Sequence, residues 1–107
     1  DADSSFDNLE LVGAGLGRKL AVLRVASDRT DSNLLTVVAG LKNKTGHILE
    51  IEVQTIYKDK SSTPLSAGTG SWIPIKLKPH ESTDYRSVAL SSDAVDFLVR
   101  VRMASAT

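Results

Sequence analysis

Residues 34–57 read LLTVVAGLKNKTGHILEIEVQTIY, in which two runs of alternating side chains flank a short polar turn. Every second residue of 35–41 is apolar, and the same period of two continues through 49–57, where Glu50 and Glu52 occupy the alternate positions. A period of two indicates a β-strand with one face in the core and the other in a more polar environment. The sequence therefore predicts two consecutive core strands.

The turn between these strands is Asn43-Lys44-Thr45-Gly46. Asn in the first position and Gly in the last suit a type I turn that closes a β-hairpin. We therefore predict that the second strand runs antiparallel beside the first. Asn43-Lys44-Thr45 also matches the glycosylation sequon, but the turn alone is sufficient to explain Asn43.

Four further segments carry strand character. Residues 20–25 form a short apolar run, 72–77 resume β character after a long loop, 82–90 are a weaker polar strand, and 95–103 alternate most clearly. The loop over 58–70 is dense in turn-forming residues and long for a hairpin, so we expect it to cross from one sheet to the other.

The spacing of these segments, with turn chemistry between them, predicts an all-β fold: an antiparallel immunoglobulin-like β-sandwich of about seven strands. A small barrel is the alternative. Residues 1–8 are small, acidic and polar and are expected to form a flexible tether, leaving 9–107 as a single domain. The period of two predicts one contiguous core that contains Leu35, Val37, Leu41, Ile51, Val53, Phe97, Val99 and Val101.

Composition excludes several classes of function. The 107 residues contain 13 Lys and Arg, 13 Asp and Glu, and no Cys. A net charge of zero lacks the positive surface that nucleic acids or anionic membranes attract, so no nucleic-acid partner is expected. No apolar stretch approaches the length of a spanning helix. The absence of Cys does not identify the compartment, and a chain that begins at Asp1 is compatible with prior removal of an export signal.

Candidate catalytic features all have simpler structural explanations. The Gly-rich segment 13–18 lacks the spacing and the following helix of a nucleotide-binding loop, and is interpreted as a flexible hinge. His47 and His80 lie beside turns with no partner at a metal-ligand spacing. Glu50 and Glu52 are interpreted as residues on the solvent-facing side of a strand, where Arg100 or Arg102 can offset their mutual repulsion. We therefore expect no enzymatic activity, no cofactor and no metal.

Trp72 is the most informative single side chain. Pro74 cannot donate a ladder hydrogen bond and places its strand at a sheet edge or at a strand start. An edge strand with a preceding flexible loop and a Trp suits partner contact, so the predicted interaction surface contains Ser71, Trp72, Pro74 and Lys76. The structural alternative is that Trp72 fills the core at the start of the strand.

The order of several short motifs resembles that of a known family. The segments LKNKT (41–45), IYKD (56–59), WIPIKLKPHE (72–81) and AVDF (94–97) follow one another as in the YcfL-like family of small bacterial envelope lipoproteins. The resemblance covers roughly residues 20–102. It implies an immunoglobulin-like sandwich, export to the periplasm, and membrane attachment only through a lipidated cysteine that would precede Asp1. The family offers no catalytic residues to transfer.

This resemblance leads to a functional expectation. We expect a non-enzymatic domain of the bacterial cell envelope that acts as a protein-interaction or accessory scaffold in envelope assembly, with another envelope protein as its partner. The alternative is a small-ligand or carbohydrate-binding module that uses Trp72 and the 58–70 loop. The position of Trp72, beside a concavity or within the core, discriminates between them.

Overall fold

The computed structural model describes residues 7–65 and 71–104, and these form seven strands and one short helix. Each of the six segments predicted as strands corresponds to a strand, although β2 continues four residues beyond its apolar run, to Arg29, and β6 ends two residues early, at Val88. The elements are β1 (Leu9–Val12), α1 (Leu16–Lys19), β2 (Leu20–Arg29), β3 (Leu35–Asn43), β4 (Leu49–Lys58), β5 (Ile73–Leu77), β6 (Ser82–Val88) and β7 (Asp96–Met103).

The strands make two sheets. The four-stranded sheet has the order β1-β7-β4-β5, and the three-stranded sheet has the order β2-β3-β6. Strands β1 and β7 pair in parallel, whereas the other pairs within the described residues are antiparallel. Two separate, mainly antiparallel sheets confirm the predicted sandwich and rule out the barrel. The orders β2-β3-β6 and β5-β4-β7 match strands A-B-E and C′-C-F of an immunoglobulin-type domain, and β1 occupies the position of strand G.

The predicted hairpin between β3 and β4 is wrong, because the two strands lie in different sheets. Asn43 is fully buried, and its Nδ2 lies within hydrogen-bonding distance of the carbonyl oxygens of His47 (2.7 Å), Lys78 (3.0 Å) and Leu77 (3.2 Å). Its Oδ1 accepts from the Thr45 backbone N–H at 2.9 Å and the Thr45 hydroxyl at 2.8 Å. These bonds hold the chain as it leaves one sheet for the other, so the Asn of the sequon is an interior structural residue.

The predicted crossing after β4 is also wrong, because β4 and β5 are neighbours in the four-stranded sheet. Asp59 turns the chain back at once: its Oδ1 accepts from the backbone N–H groups of Ser61 (2.8 Å) and Thr63 (3.0 Å). The Leu65 N–H then donates to the Tyr57 carbonyl at 2.7 Å. The loop is long yet reverses direction early, and its residues 66–70 lie outside the described residues.

The core occupies the space between the sheets. Every residue of the predicted core is buried, which confirms the assignment of the inward faces. Two hydroxyl pairs also cross the interior from β4 to β6: Thr55 Oγ1 lies 2.8 Å from the Tyr85 hydroxyl, and the Tyr57 hydroxyl donates to Ser87 Oγ at 2.7 Å. These bonds give the hydroxyl groups of the buried residues Thr55, Tyr57 and Tyr85 partners away from water.

The N-terminal part adds one strand and one helical turn. The tether predicted for 1–8 falls mostly outside the described residues, but Asn8 already bonds to β7 through its carbonyl. After the glycines, α1 forms a single turn with Leu16 buried beneath it, where the sequence predicted no helix. Four residues are too few to make a phosphate-binding terminus. No helix among the described residues is long and apolar enough to span a membrane.

Candidate functional site

The predicted interaction residues lie at one edge of the four-stranded sheet. Strand β5 is the outermost strand on that side, which confirms the edge position expected from Pro74. Ser71 and Trp72 immediately precede the strand, while Pro74 lies opposite Glu52 and Lys76 lies opposite Glu50 on β4. Ser71, Pro74 and Lys76 are exposed and Trp72 is half-buried.

Pro74 faces the open side of the edge. The Ala104 N–H donates to the Glu50 carbonyl at 3.0 Å, so Glu50 directs its backbone polar groups towards β7. Glu52 lies two residues further on, so its N–H and C=O groups also point towards β7. Glu52 and its register partner Pro74 are therefore a pair without mutual hydrogen bonds. The backbone nitrogen of Pro74, which carries no hydrogen, therefore faces outward. Its lack of a hydrogen breaks no bond within the sheet, but it deprives an added strand of one hydrogen-bond donor.

Trp72 lies over the outer face of the four-stranded sheet. On β7, Val99 and Val101 are fully buried. Arg100 and Arg102 alternate with these two valines, so they point outward. The Arg102 guanidinium carbon is 3.9 Å from the centre of the Trp72 ring, and that of Arg100 is 5.6 Å away. Both distances are within the range of cation–π attraction, and the shorter one is a direct stack. Trp72 therefore does not belong to the core.

Carboxylates fix the two arginines from either side. Arg102 Nε donates to Glu52 Oε1 on β4 at 2.7 Å, and Arg100 Nε donates to Glu10 Oε1 on β1 at 3.1 Å. At this level of exposure such ion pairs contribute only about 0–1 kcal/mol each to folding. Their effect is to orient the guanidinium groups beneath the indole. We call Trp72, Arg100, Arg102, Glu52 and Glu10 the Trp72 patch.

The sequence indicated part of this patch. Glu52 was expected on the wet face of β4, and Arg100 or Arg102 was expected to offset it; the 2.7 Å contact confirms the pairing with Arg102. The stacking on Trp72 was missed, because it depends on the path of the chain from residue 65 back to β5. Glu10 was missed because the strand partner of β1 is far away in the sequence.

Two histidines and an open surface groove are further candidate features of the described residues. His47 and His80 are exposed, as predicted for turn residues, and no group of three or more metal-ligating side chains occurs within 7–65 and 71–104. An open groove of about 300 Å³ is lined by Asp59, Lys60, Ser61, Ser92, Asp93 and Val95, so Trp72 does not line it.

Tyr57 has a shifted pKa. Burial raises the pKa of the Tyr57 hydroxyl above its ordinary value of 10.0, and its hydrogen bond with Ser87 only partly opposes that shift. A raised pKa keeps this phenol neutral at physiological pH. Tyr57 lies inside the sandwich, where its hydroxyl connects the two sheets. The pKa shift is therefore explained by burial in the core.

Comparisons with known proteins identify the fold. No protein-family model matches the sequence, and no curated protein matches it either. Among solved structures, Campylobacter jejuni Cj0090 is similar over 92% of this chain and 100% of its own, with a TM-score of 0.77 and 14% identity. A DUF1425 family member from Shewanella sp. pv-4 is similar over 82% of this chain and 81% of its own, with a TM-score of 0.72 and 16% identity. The chain therefore has a fold found in bacterial proteins, shared with Cj0090 and with a DUF1425 family member.

Proposed function

We propose that this chain is a non-enzymatic domain of the bacterial cell envelope that acts by contact with another protein through the Trp72 patch. The observation that carries the proposal is the stack of Trp72 on Arg102, with Glu52 holding the arginine in place. Trp and Arg are the side chains most enriched at binding hot spots. Here both are pre-positioned on a rigid sheet face, which lowers the entropy cost of binding.

The structure favours contact through the sheet face over addition of a strand to the β5 edge. Pro74 offers no N–H donor on the open side of β5, and Lys76 places a charge on the same edge strand. Both features oppose strand pairing. The outer face offers the indole, two guanidinium groups and two carboxylates within one patch. Ser71, Pro74 and Lys76 then form the rim of the contact surface and Trp72 its centre.

The proposed cellular setting rests on the motif resemblance, and the bacterial origin of the structural neighbours is consistent with it. The order of motifs resembles the YcfL-like lipoproteins, and the structural neighbours are bacterial proteins. On this basis we propose membership of that lipoprotein family, a periplasmic location, and anchoring by a lipidated cysteine upstream of Asp1. The partner is then another envelope protein, with the domain as an accessory scaffold.

The alternative is a small-ligand or carbohydrate-binding module centred on Trp72. Sugars stack on exposed aromatic rings, and one face of this ring is already covered by Arg102. At most one face of the indole is left for such a ligand. A protein partner that surrounds the indole and the guanidinium groups uses more of the patch than a single stacked sugar does.

In-cell photo-crosslinking tests the proposal. A photoreactive residue is placed in turn at Ser71, Lys76 and Glu52, and at Arg86, which is exposed on β6 in the other sheet, as the matched control. We expect one identified envelope protein to be captured from Glu52 and from at least one rim position, and not from Arg86. Equal capture at all four positions, or capture at Arg86 alone, contradicts the proposal. Binding of a purified glycan panel without any protein crosslink supports the carbohydrate alternative.

A further inference from the structure

Strand β1 occupies an unusual position in the fold. It is a four-residue edge strand that pairs with β7 through the register Leu9↔Val99 to Val12↔Arg102. The pairing is parallel, which is slightly weaker per residue than antiparallel pairing. It completes the four-stranded sheet from the far end of the chain, at the place that strand G fills in immunoglobulin-type domains.

The edge of β7 is shaped to receive this strand. Leu9 and Leu11 are half-buried and pack against the core, and the Val99 N–H donates to the Asn8 carbonyl at 2.8 Å. The Asn8 side chain donates to the Phe97 carbonyl at 3.1 Å. Glu10, on the opposite face of the strand, reaches Arg100 at 3.1 Å. Backbone bonds with alternating apolar and polar side-chain contacts are how sheets recognise an added strand.

The connection that follows β1 is suited to change direction. Gly13 and Gly15 have φ values of 101° and 87°, residues 13–15 are exposed, and no atom lies within 4 Å of a Cβ built on either glycine. Immediately beyond, Leu16 is only 1% exposed and anchors α1 in the core. A short exposed segment therefore joins a four-residue edge strand to a residue fixed in the core, which is the arrangement that permits exchange of an element between copies.

We propose that β1 exchanges between two copies of this chain, so that the β7 edge of each copy accepts β1 of the other. A second copy is the occupant that fits, because its β1 reproduces every contact described above, from Asn8 to Leu11, in the same register. The exchange is reciprocal and gives a closed two-fold dimer with no unpaired β7 edge. This inference does not rest on the proposed function, since it involves the β7 edge and the hinge at 13–15.

Disulfide trapping tests the exchange directly, because residues 1–107 contain no Cys that would compete with the introduced ones. One copy carries Glu10→Cys and the other carries Arg100→Cys, and these positions are register partners on β1 and β7. Adjacent partners in a sheet are close enough for a disulfide. The two variants are unfolded together, refolded over a range of concentrations and oxidised. We expect a covalent heterodimer whose fraction rises with the refolding concentration.

A matched pair of variants controls for random oxidation. Glu52→Cys and Arg102→Cys are register partners on β4 and β7, both of which lie beyond the hinge. A mixture of these two single variants gives no comparable heterodimer if only β1 exchanges. Absence of the Glu10/Arg100 heterodimer at every concentration, or equal heterodimer in the control mixture, overturns the proposal.

Shortening the hinge supplies a second measurement. Deletion of Gly13 and Ala14 makes the connection between β1 and α1 too short for β1 to pair with β7 of the same chain. We expect light scattering to show a shift to twice the monomer mass of 11.5 kDa. A folded variant that stays monomeric contradicts the proposal, and if the variant does not fold, the disulfide experiment alone decides.

Discussion

Replacement of Asn43 by Ala tests the structural explanation of the chain crossing between the sheets. The Asn43 side chain is fully buried and lies within 3.2 Å of three carbonyl oxygens. Alanine removes both N–H donors and the Oδ1 acceptor, and leaves the buried Leu77 carbonyl without its side-chain partner. Each buried polar group left unsatisfied costs about 1–3 kcal/mol. The Leu77 carbonyl and the Thr45 N–H both lose their bond to Asn43, so the expected decrease in the free energy of unfolding is about 3 kcal/mol.

Urea unfolding followed by far-UV circular dichroism measures this decrease. A loss of about 3 kcal/mol is a large part of the roughly 5–15 kcal/mol that holds a small domain folded. The midpoint should fall with an unchanged slope, which shows that stability and not compactness has changed. His47→Ala is the control, because His47 is exposed and contacts Asn43 through its backbone carbonyl; it should change the free energy of unfolding by less than about 0.5 kcal/mol. A loss below about 1 kcal/mol for Asn43→Ala would refute the reasoning.

Three further predictions address the core and the surface. Phe97→Ala should lower the free energy of unfolding by about 3 kcal/mol or more in chemical denaturation, because Phe97 belongs to the buried cluster; a loss under about 1 kcal/mol contradicts the face assignment. Because the pKa of Tyr57 is raised in the folded chain, the unfolded chain loses the phenol proton at a lower pH than the folded chain does. The contribution of Tyr57 to the free energy of unfolding should therefore be fully present below about pH 10 and decrease above it. Tyr57→Phe should reduce that fall in pH-dependent unfolding, and an unchanged alkaline profile contradicts it. Arg102→Gln should shift the Trp72 fluorescence while costing only about 1 kcal/mol, and an unshifted emission spectrum contradicts the stack.

Much of the fold was predictable from local pattern. Alternation within a strand depends only on which face meets the core, so the inward residues of β3, β4 and β7 were all assigned correctly. Pro74 also identified an edge strand, because the lack of an N–H has the same consequence in any sheet. These predictions needed no knowledge of which strands are neighbours.

The connections between strands were not predictable in the same way. The sequence 43–46 suits a hairpin, yet the side chain of Asn43 bonds to carbonyls at 77 and 78, more than thirty residues away. Conversely, the loop after β4 has the length of a crossing, but Asp59 reverses the chain within a few residues. Local turn chemistry cannot tell a hairpin from a crossing when distant partners supply the hydrogen bonds.

The candidate site shows the same limit. Trp72 was singled out by residue type, and Arg100 and Arg102 by their alternation on β7, but nothing local joins them. The stack requires β5 to pair with β4, and β4 to pair with β7, before the indole can lie over the arginines. Glu10 joins the patch only because β1 pairs with β7 across ninety residues of sequence.

Affinity measurement with the partner identified by crosslinking tests the central claim most directly. The purified domain and its Trp72→Ala variant are titrated with that protein, with Arg86→Ala on the other sheet as the control. Loss of a hot-spot side chain costs at least about 2 kcal/mol, so we predict that Trp72→Ala weakens binding by about 30-fold or more, while Arg86→Ala changes the affinity less than about twofold. Wild-type affinity in the Trp72→Ala variant, with its fold intact by circular dichroism, would contradict the account.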